Sequence, residues 1–162
     1  SGMYAGNELL SDEDLLHKLS GYVPLEELLQ LRNRLNEELT NLFGHLYCGY
    51  LGVDMMICHF PNKCPVYRIH PCVEINLRMN MGVIARFLAD RYLSSKAGGI
   101  FQIAYYSEVG IALKEHERMI AAFPLHVENG RVCDGYLPLV PVTSRSRYRA
   151  WIEVTDKVSG MK

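Results

Sequence analysis

The sequence predicts an α+β fold in which an antiparallel-rich sheet carries helices on one face. Leucines recur every three or four residues from Leu28 to Leu46, which is typical of a helix with one apolar stripe. From Gly49 the pattern changes to long runs of β-branched and aromatic residues, which favour strands. Asn129-Gly130 then gives the strongest short signal for a β-hairpin.

Length and composition restrict the function classes. A chain of 162 residues fits one domain with a real core, and 49% apolar with 22% charged residues is ordinary for a globular protein. The 17 basic and 18 acidic side chains give a net charge of −1. Because this charge provides no attraction to polyanions, we expect no nucleic-acid partner and no membrane partner.

Cysteine usage and the chain start indicate a cytoplasmic protein. The five cysteines are an odd set without a CxxC pair, which favours reduced thiols over a disulfide framework. No apolar run approaches the roughly 20 residues that cross a bilayer, and the start lacks the pattern of a signal peptide. Ser1 and Gly2 resemble a remnant of cloning, so Met3 need not be the natural start.

Residues 1–48 are predicted to be a helical lead-in that packs on the sheet. Ser11, followed by three acids, is a good helix start, and Pro24 opens a longer helix. The leucine stripe of that helix suits either a coiled-coil seam or packing on the chain's own sheet. We favour packing on the sheet, because the run is shorter than three and a half heptads. The opposite face is polar, with Arg34, Glu37, Glu38 and Asn41.

Residues 49–107 are predicted to form a hairpin, a helix and a strand. The runs 49–60 and 65–78 are separated by Pro61, Asn62 and Lys63, which indicate a turn. Residues 81–93 have apolar positions at helical spacing, and Gly98-Gly99 is expected to end this unit before a strand at 100–107.

Residues 108–162 are predicted to be a β-rich extension that completes one compact domain. A helix is expected over 108–121, followed by the Asn129-Gly130 hairpin and a last strand at 146–154. Arg145, Arg147 and Arg149 alternate along this last strand, which is the pattern of either a site for an anion or nucleic acid or a solvated edge strand protected by charge. We favour the edge strand.

The second hairpin strand separates polar from apolar residues. Alternate side chains share a face, so the residues Arg68, His70, Cys72, Glu74, Asn76 and Arg78 point one way. The set Tyr67, Ile69, Val73, Ile75 and Leu77 points the other way and is expected to be the core face, covered by helices.

Two acids are expected to meet across this hairpin. Pairing of the strands brings Asp54 close to Glu74, and adjacent carboxylates call for a bridging cation. Hard oxygen ligands suit Mg²⁺ that shares phosphate oxygens, with Asn76 as a neutral ligand. Arg78 can bind phosphate oxygens bidentately, and Asn80 can cap the next helix, whose free N–H groups also favour anions.

Two other interpretations of these residues stay open. The polar side chains suit the solvated face of a half-exposed hairpin, although clustering on one face favours a site. The neighbouring Cys58, His59, Cys64, His70 and Cys72 are of zinc-binding types, but their spacing fits no familiar zinc pattern, so we favour ordinary thiols.

The order of an acid on one strand, a hairpin turn, the strand HPCVEINLR and a helix resembles the carboxy-terminal metal-binding segment of ATP-grasp enzymes. The resemblance covers residues 49–82 and is nearest in its ExNxR form to the carbamoyl-phosphate synthetase and biotin carboxylase branches. It implies that Asp54, Glu74 and Asn76 bind two magnesium ions, with Glu74 bridging them. It also implies that Arg78 and Asn80 contact the nucleotide phosphates, with Glu74 and Arg78 as catalytic residues.

The resemblance implies ATP-dependent ligation of a small carboxylate to an amine or similar nucleophile through an acyl phosphate. No glycine-rich hairpin with phosphate-gripping lysines stands upstream of Asp54. We therefore expect the carboxy-terminal part of such a ligase, inactive by itself. The alternative is a non-catalytic cation-binding module that forms a homodimer through its leucine stripe.

Overall fold

The computed structural model describes residue 4 and residues 6–156, with only the backbone of Asp156. The expected cloning remnant at Ser1 and Gly2 and the start at Met3 lie outside these residues. The elements are β1 (Asn7–Leu9), α1 (Asp12–Ser20), α2 (Leu25–Phe43), β2 (Gly52–His59), β3 (Tyr67–Asn76), α3 (Met81–Tyr92), β4 (Ala97–Tyr105), α4 (Ile111–Ala122), β5 (His126–Glu128), β6 (Arg131–Pro138) and β7 (Tyr148–Asp156).

The chain is mixed α and β with antiparallel sheets, as the sequence predicts. It divides into two compact units, one of residues 11–83 and one of residues 1–10 with 84–162. The bounds of these two units differ from the bounds of the segments predicted from the sequence, 1–48, 49–107 and 108–162.

Both predicted helix starts in the 11–83 unit are confirmed. Ser11 precedes α1, and its hydroxyl accepts a hydrogen bond from the Asp14 N–H at 3.1 Å. Pro24 precedes α2, where its fixed φ suits the entry to a helix. The sequence therefore specifies these starts locally, through side-chain chemistry and backbone restriction.

The leucine stripe is not the buried core that we expected. Leu28, Leu31, Leu35 and Leu39 are half-buried, and no residue of α2 is fully buried. Leu42, still inside α2, is 59% exposed, and Leu46, beyond the end of the helix at Phe43, is 75% exposed. The predicted polar face is confirmed as exposed.

The predicted hairpin is confirmed as an antiparallel pair of β2 and β3. Its register shifts between Asp54 and Met56, opposite the segment of β3 that holds Pro71. Proline has no N–H and cannot complete a ladder, which explains why the irregularity falls there. The prediction that the apolar set forms a core face was wrong. Val73 and Ile75 are exposed on the two-stranded sheet, Leu77 is exposed beyond the end of β3, and Tyr67 and Ile69 are only half-buried.

The other unit contains a five-stranded antiparallel sheet in the order β1-β4-β7-β6-β5. The predicted turn is confirmed, since Asn129 and Gly130 both have positive φ between β5 and β6. The edge-strand interpretation of the last strand was wrong, because β7 is central. Arg145 and Arg147 precede it, and Arg149 lies inside it with 4% exposure.

Gly98 and Gly99 do not end the preceding unit but lie inside β4. A Cβ on Gly99 would come within 2.4 Å of the Glu153 carbonyl oxygen on β7. Glycine is therefore needed here for the close approach of two backbones.

One face of the sheet is covered by α4, the helix predicted over 108–121. Met119 packs with Tyr136 and Trp151 in a buried cluster, with Ala104 against it. On the other face, Ile152 is fully buried beside its cross-strand partner Phe101. Among the described residues, no helix has the length and apolarity needed to cross a membrane.

Candidate functional site

The predicted pairing of Asp54 with Glu74 is confirmed by the hairpin register. The two residues are direct partners, next to the pair of Gly52 and Asn76. No register shift separates the two pairs, so all four positions share one face. The structure thus brings the three proposed metal ligands together at one end of the hairpin.

The two acids are exposed and lack compensating partners. Neither carboxylate forms an ion pair or side-chain hydrogen bond with another described residue. Directly opposed residues have Cβ atoms about 5 Å apart, where two like charges in water repel by roughly 1 kcal/mol. A divalent cation between them would replace this repulsion by attraction, and both side chains are long enough to share one ion.

Asn76 differs from the acids because it is only 8% exposed. Its partner Gly52 has no side chain, and the amide of Asn80 fills the space above that glycine. A Cβ on Gly52 would come within 2.0 Å of Asn80 Nδ2. Gly52 therefore makes room for a second amide on the face that holds the acids.

Asn80 caps α3 as predicted. Its Oδ1 accepts a hydrogen bond from the Val83 N–H at 3.0 Å, just as α3 begins at Met81. The side chain thus joins the start of the helix to the end of the hairpin. Its placement fixes the helix N-terminus close to the strand pair.

Arg78 lies outside the strand in which the sequence placed it. β3 ends at Asn76, and Arg78 is exposed on a bend, where its Nη1 lies 3.4 Å from the Met79 carbonyl oxygen. Strand alternation therefore does not fix its direction. This weak contact leaves the guanidinium free to turn towards an anion near the acids.

A metal at this site would need ligands beyond the protein. Within the described part of the chain, no three His, Cys, Asp or Glu side chains are grouped to hold a metal ion. Two carboxylates and an amide oxygen suit Mg²⁺, which keeps several waters and is commonly completed by substrate phosphates. The donor set therefore fits a metal that arrives with a nucleotide. All five cysteines are free thiols.

Sequence reasoning missed a second polar cluster, which surrounds Arg149 in the sheet of the other unit. The Arg149 Nε and Nη2 donate to the Tyr106 hydroxyl at 2.9 and 2.5 Å, and Nη1 donates to the Tyr136 hydroxyl at 3.4 Å. The guanidinium carbon also lies 4.4 Å from the centre of the Trp151 ring. The sequence signals were the alternation of Arg145, Arg147 and Arg149, for which we favoured a solvated edge strand, and the spacing of Arg149 and Trp151.

Tyr136 connects this cluster to α4. Its hydroxyl lies 3.0 Å from Nδ1 of His116, and the side chain is 2% exposed. Burial raises the pKa of Tyr136, while the charge and hydrogen bond of Arg149 act in the opposite direction. Because burial has the larger effect, the hydroxyl stays neutral and does not neutralise the arginine.

Comparison with protein-family models, with curated proteins and with solved structures finds no match to this chain.

Proposed function

We propose that this chain is the carboxy-terminal, metal-binding part of an ATP-dependent carboxylate ligase of the ATP-grasp type, acting in the cytoplasm. The observation that carries the proposal is the direct pairing of Asp54 with Glu74, beside the buried Asn76. The resemblance of the HPCVEINLR strand supplies the reaction class. The free thiols support a reducing compartment.

The chemistry of ligation explains why such a site is needed. A carboxylate is a poor acyl donor, because its leaving group would be oxide. Transfer of the γ-phosphoryl group of ATP converts that oxygen into a good leaving group, and an amine then displaces phosphate from the acyl phosphate. Several negative oxygens come together during the transfer, so positive charge must be in place around them.

The residues of the hairpin would supply that charge through magnesium. Asp54, Glu74 and Asn76 would hold two ions, with Glu74 bridging them, and the ions would neutralise the β- and γ-phosphates. Arg78 would meet the transferring phosphate, and Asn80 would hold the helix N-terminus beside it. Glu74→Gln keeps the shape but removes a bridging charge, so turnover of the complete ligase should fall about a hundredfold or more.

The donor set also explains why the chain alone should bind ATP weakly and not turn it over. Two carboxylates and an amide leave most of the magnesium coordination to water and phosphate. The phosphates themselves need further donors from a second nucleotide-binding surface. A small-molecule carboxylate would occupy the space between these surfaces.

Electron paramagnetic resonance of Mn²⁺ tests the proposed ligands, because binding to the protein removes free-ion signal beyond the loss that ATP alone causes in a protein-free titration. We expect binding to the wild-type chain in the presence of ATP, with affinity lowered about tenfold in Asp54→Asn and in Glu74→Gln. Glu37→Gln, on the exposed face of α2, is the matched control with the same loss of charge. Equal affinities in all four proteins would refute the metal site.

The isotopic course of the reaction tests the chemistry separately. If the substrate carboxylate carries heavy oxygen, one label should appear in the released phosphate. Label recovered in AMP, or kept entirely in the product, would exclude the acyl phosphate.

A second candidate function is assembly of a homodimer without catalysis. It is favoured by the exposure of Leu42 and Leu46 at the end of the leucine stripe and by a cavity of about 270 Å³ beside it. The cavity is lined in part by Leu39, Phe43 and Tyr47. Sedimentation should then show a dimer that Leu42→Glu disrupts and Asn41→Glu, on the polar face, does not.

A further inference from the structure

The Arg149 cluster contains a buried positive charge without a negative partner. A guanidinium stays protonated at every physiological pH, and burying an isolated charge is costly. Arg149 is 4% exposed, and across the described residues it forms no ion pair with an Asp or Glu. Its contacts are the hydroxyls of Tyr106 and Tyr136 and the rings of Tyr106 and Trp151. These contacts solvate the charge but do not neutralise it.

The nearby carboxylate on the same strand is already engaged. Glu153 accepts a hydrogen bond from the Trp151 Nε1–H at 3.0 Å. The Arg149 guanidinium lies over the face of the indole ring, whereas the carboxylate lies at the N–H edge of the ring. Glu153 therefore forms no ion pair with the arginine, and its charge, which also helps to raise the pKa of Tyr136, offsets the charge of Arg149 only in part.

Tyr106 connects the buried Arg149 guanidinium to the protein surface. Its hydroxyl oxygen accepts two N–H bonds from Arg149, so both of its lone pairs are used. The remaining O–H is a donor strengthened by the adjacent cation, and no acceptor for it lies among the residues that the structure describes. Tyr106 is only half-buried, so this donor can reach a ligand.

A second cation lies next to this donor. The Tyr106 N–H donates to the Arg147 carbonyl oxygen at 2.8 Å, and the Arg147 side chain is exposed. Arg147 lies just before β7, and this backbone hydrogen bond makes it the cross-strand neighbour of Tyr106, next to the pair of Tyr105 and Tyr148. A ligand at Tyr106 would therefore meet one O–H donor backed by the charge of Arg149, beside the exposed side chain of Arg147.

We propose that Tyr106, Arg147 and Arg149 form a binding site for a phosphate dianion, either free phosphate or the phosphate group of a small metabolite. The two guanidinium charges, offset only in part by Glu153, attract a dianion more strongly than a monoanion. The tyrosine O–H and the arginine fork both donate hydrogen bonds to phosphate oxygens. This site uses other residues than the metal site and does not depend on the ligase function.

The test is a titration of the ¹⁵N-labelled chain with inorganic phosphate, without divalent metal and at constant ionic strength. The amide signals of Tyr106 and Arg147 should shift and saturate at pH 8. Acetate at the same ionic strength should bind at least about tenfold more weakly, because it carries one charge. A phosphate monoester that binds better than inorganic phosphate would identify a metabolite as the ligand, and the reverse order would identify free phosphate.

Variants assign the shifts to the proposed residues. Arg147→Gln should weaken phosphate binding about tenfold, while Arg34→Gln, an exposed arginine on α2, should leave it unchanged. Tyr106→Phe should weaken it by about tenfold or more, and Tyr105→Phe is the matched control at the neighbouring exposed tyrosine. If Tyr106→Phe does not fold, Arg147→Gln still tests the proposal, because the Arg147 side chain is exposed and its replacement should not disturb folding. Shifts that do not saturate, or that are the same for acetate, would refute the proposal.

Discussion

Gly52→Ala should destabilise the hairpin end through Asn80. An alanine Cβ at this position would lie 2.0 Å from Asn80 Nδ2, where ordinary contact requires at least 3.4 Å. The amide must rotate away, and its hydrogen bond to the Val83 N–H is then lost. Loss of such a helix cap costs about 1 kcal/mol, with a range of roughly 0.5–2. Replacing a strand glycine by alanine otherwise gains about 0.5 kcal/mol. The net expected loss is therefore about 0.5 kcal/mol, with a range of roughly 0–1.5.

In the Asn80→Ala background, Gly52→Ala should instead raise the unfolding free energy. The Asn80 Cβ lies 3.5 Å from the position of a new Cβ on Gly52, so an alanine side chain at position 80 would accept the new Cβ without displacement. A double-mutant cycle should thus give a coupling of about 1 kcal/mol between the two positions. Urea unfolding followed by circular dichroism gives the four free energies, and hydrogen exchange of the Val83 amide reports on the cap. An equal effect of Gly52→Ala in both backgrounds would refute the steric argument.

Two further expectations concern the five-stranded sheet. The raised pKa of Tyr136 means that the folded state holds this proton more tightly, so its contribution to stability is present below the unfolded value of 10.0 and lost as pH rises through the folded value. The unfolding free energy should fall above about pH 10, and Tyr136→Phe should reduce that fall, leaving the part due to Tyr4, whose pKa burial also raises. Gly135→Ala should cost about 3 kcal/mol, since φ is 101° and a Cβ would lie 2.3 Å from the Pro124 carbonyl oxygen. Gly130→Ala, at φ 74° with no atom within 4 Å, should cost only about 1 kcal/mol in the same urea unfolding measurement.

Features fixed by neighbouring residues could be predicted from the sequence. Ser11 caps α1 because its hydroxyl reaches an N–H three residues on, and Asn129-Gly130 turns because both residues tolerate positive φ. The pairing of Asp54 with Glu74 also follows from local order, since a single turn joins the two strands. The carboxylate pair of the candidate metal site could therefore be predicted from the sequence.

Features fixed by distant contacts could not be predicted. From the sequence, Arg149 is predicted to be a solvated strand residue. Its guanidinium is instead held by the hydroxyls of Tyr106, 43 positions away, and Tyr136, 13 positions away. The central position of β7 depends on pairing with β4 and β6, which no local pattern specifies. From the sequence, Gly99 is predicted to end the preceding unit. Its role in the close approach to the Glu153 backbone depends on strand pairing, which the local sequence does not specify.

The end of α2 illustrates a different limit. The leucine period continues to Leu46, yet the helix stops at Phe43 and its capping Gly44 N–H bonds the Thr40 carbonyl oxygen. Gly44 still has right-handed helical dihedral angles, so the helix ends without a left-handed cap, and the low helix propensity of glycine is the local factor that disfavours its continuation. Periodicity alone therefore overestimated both the length of the helix and the burial of its stripe.

Paramagnetic broadening by Mn²⁺ tests the proposed metal site most directly, because the effect falls steeply with distance from the ion. With ATP present and Mn²⁺ well below one equivalent, the amide signals of residues 52–54 and 74–76 should broaden first. The same signals should stay sharp in Glu74→Gln at that concentration, while Glu37→Gln should behave as the wild type. Broadening that begins elsewhere, or that is unchanged in Glu74→Gln, would contradict a metal site formed by Asp54, Glu74 and Asn76.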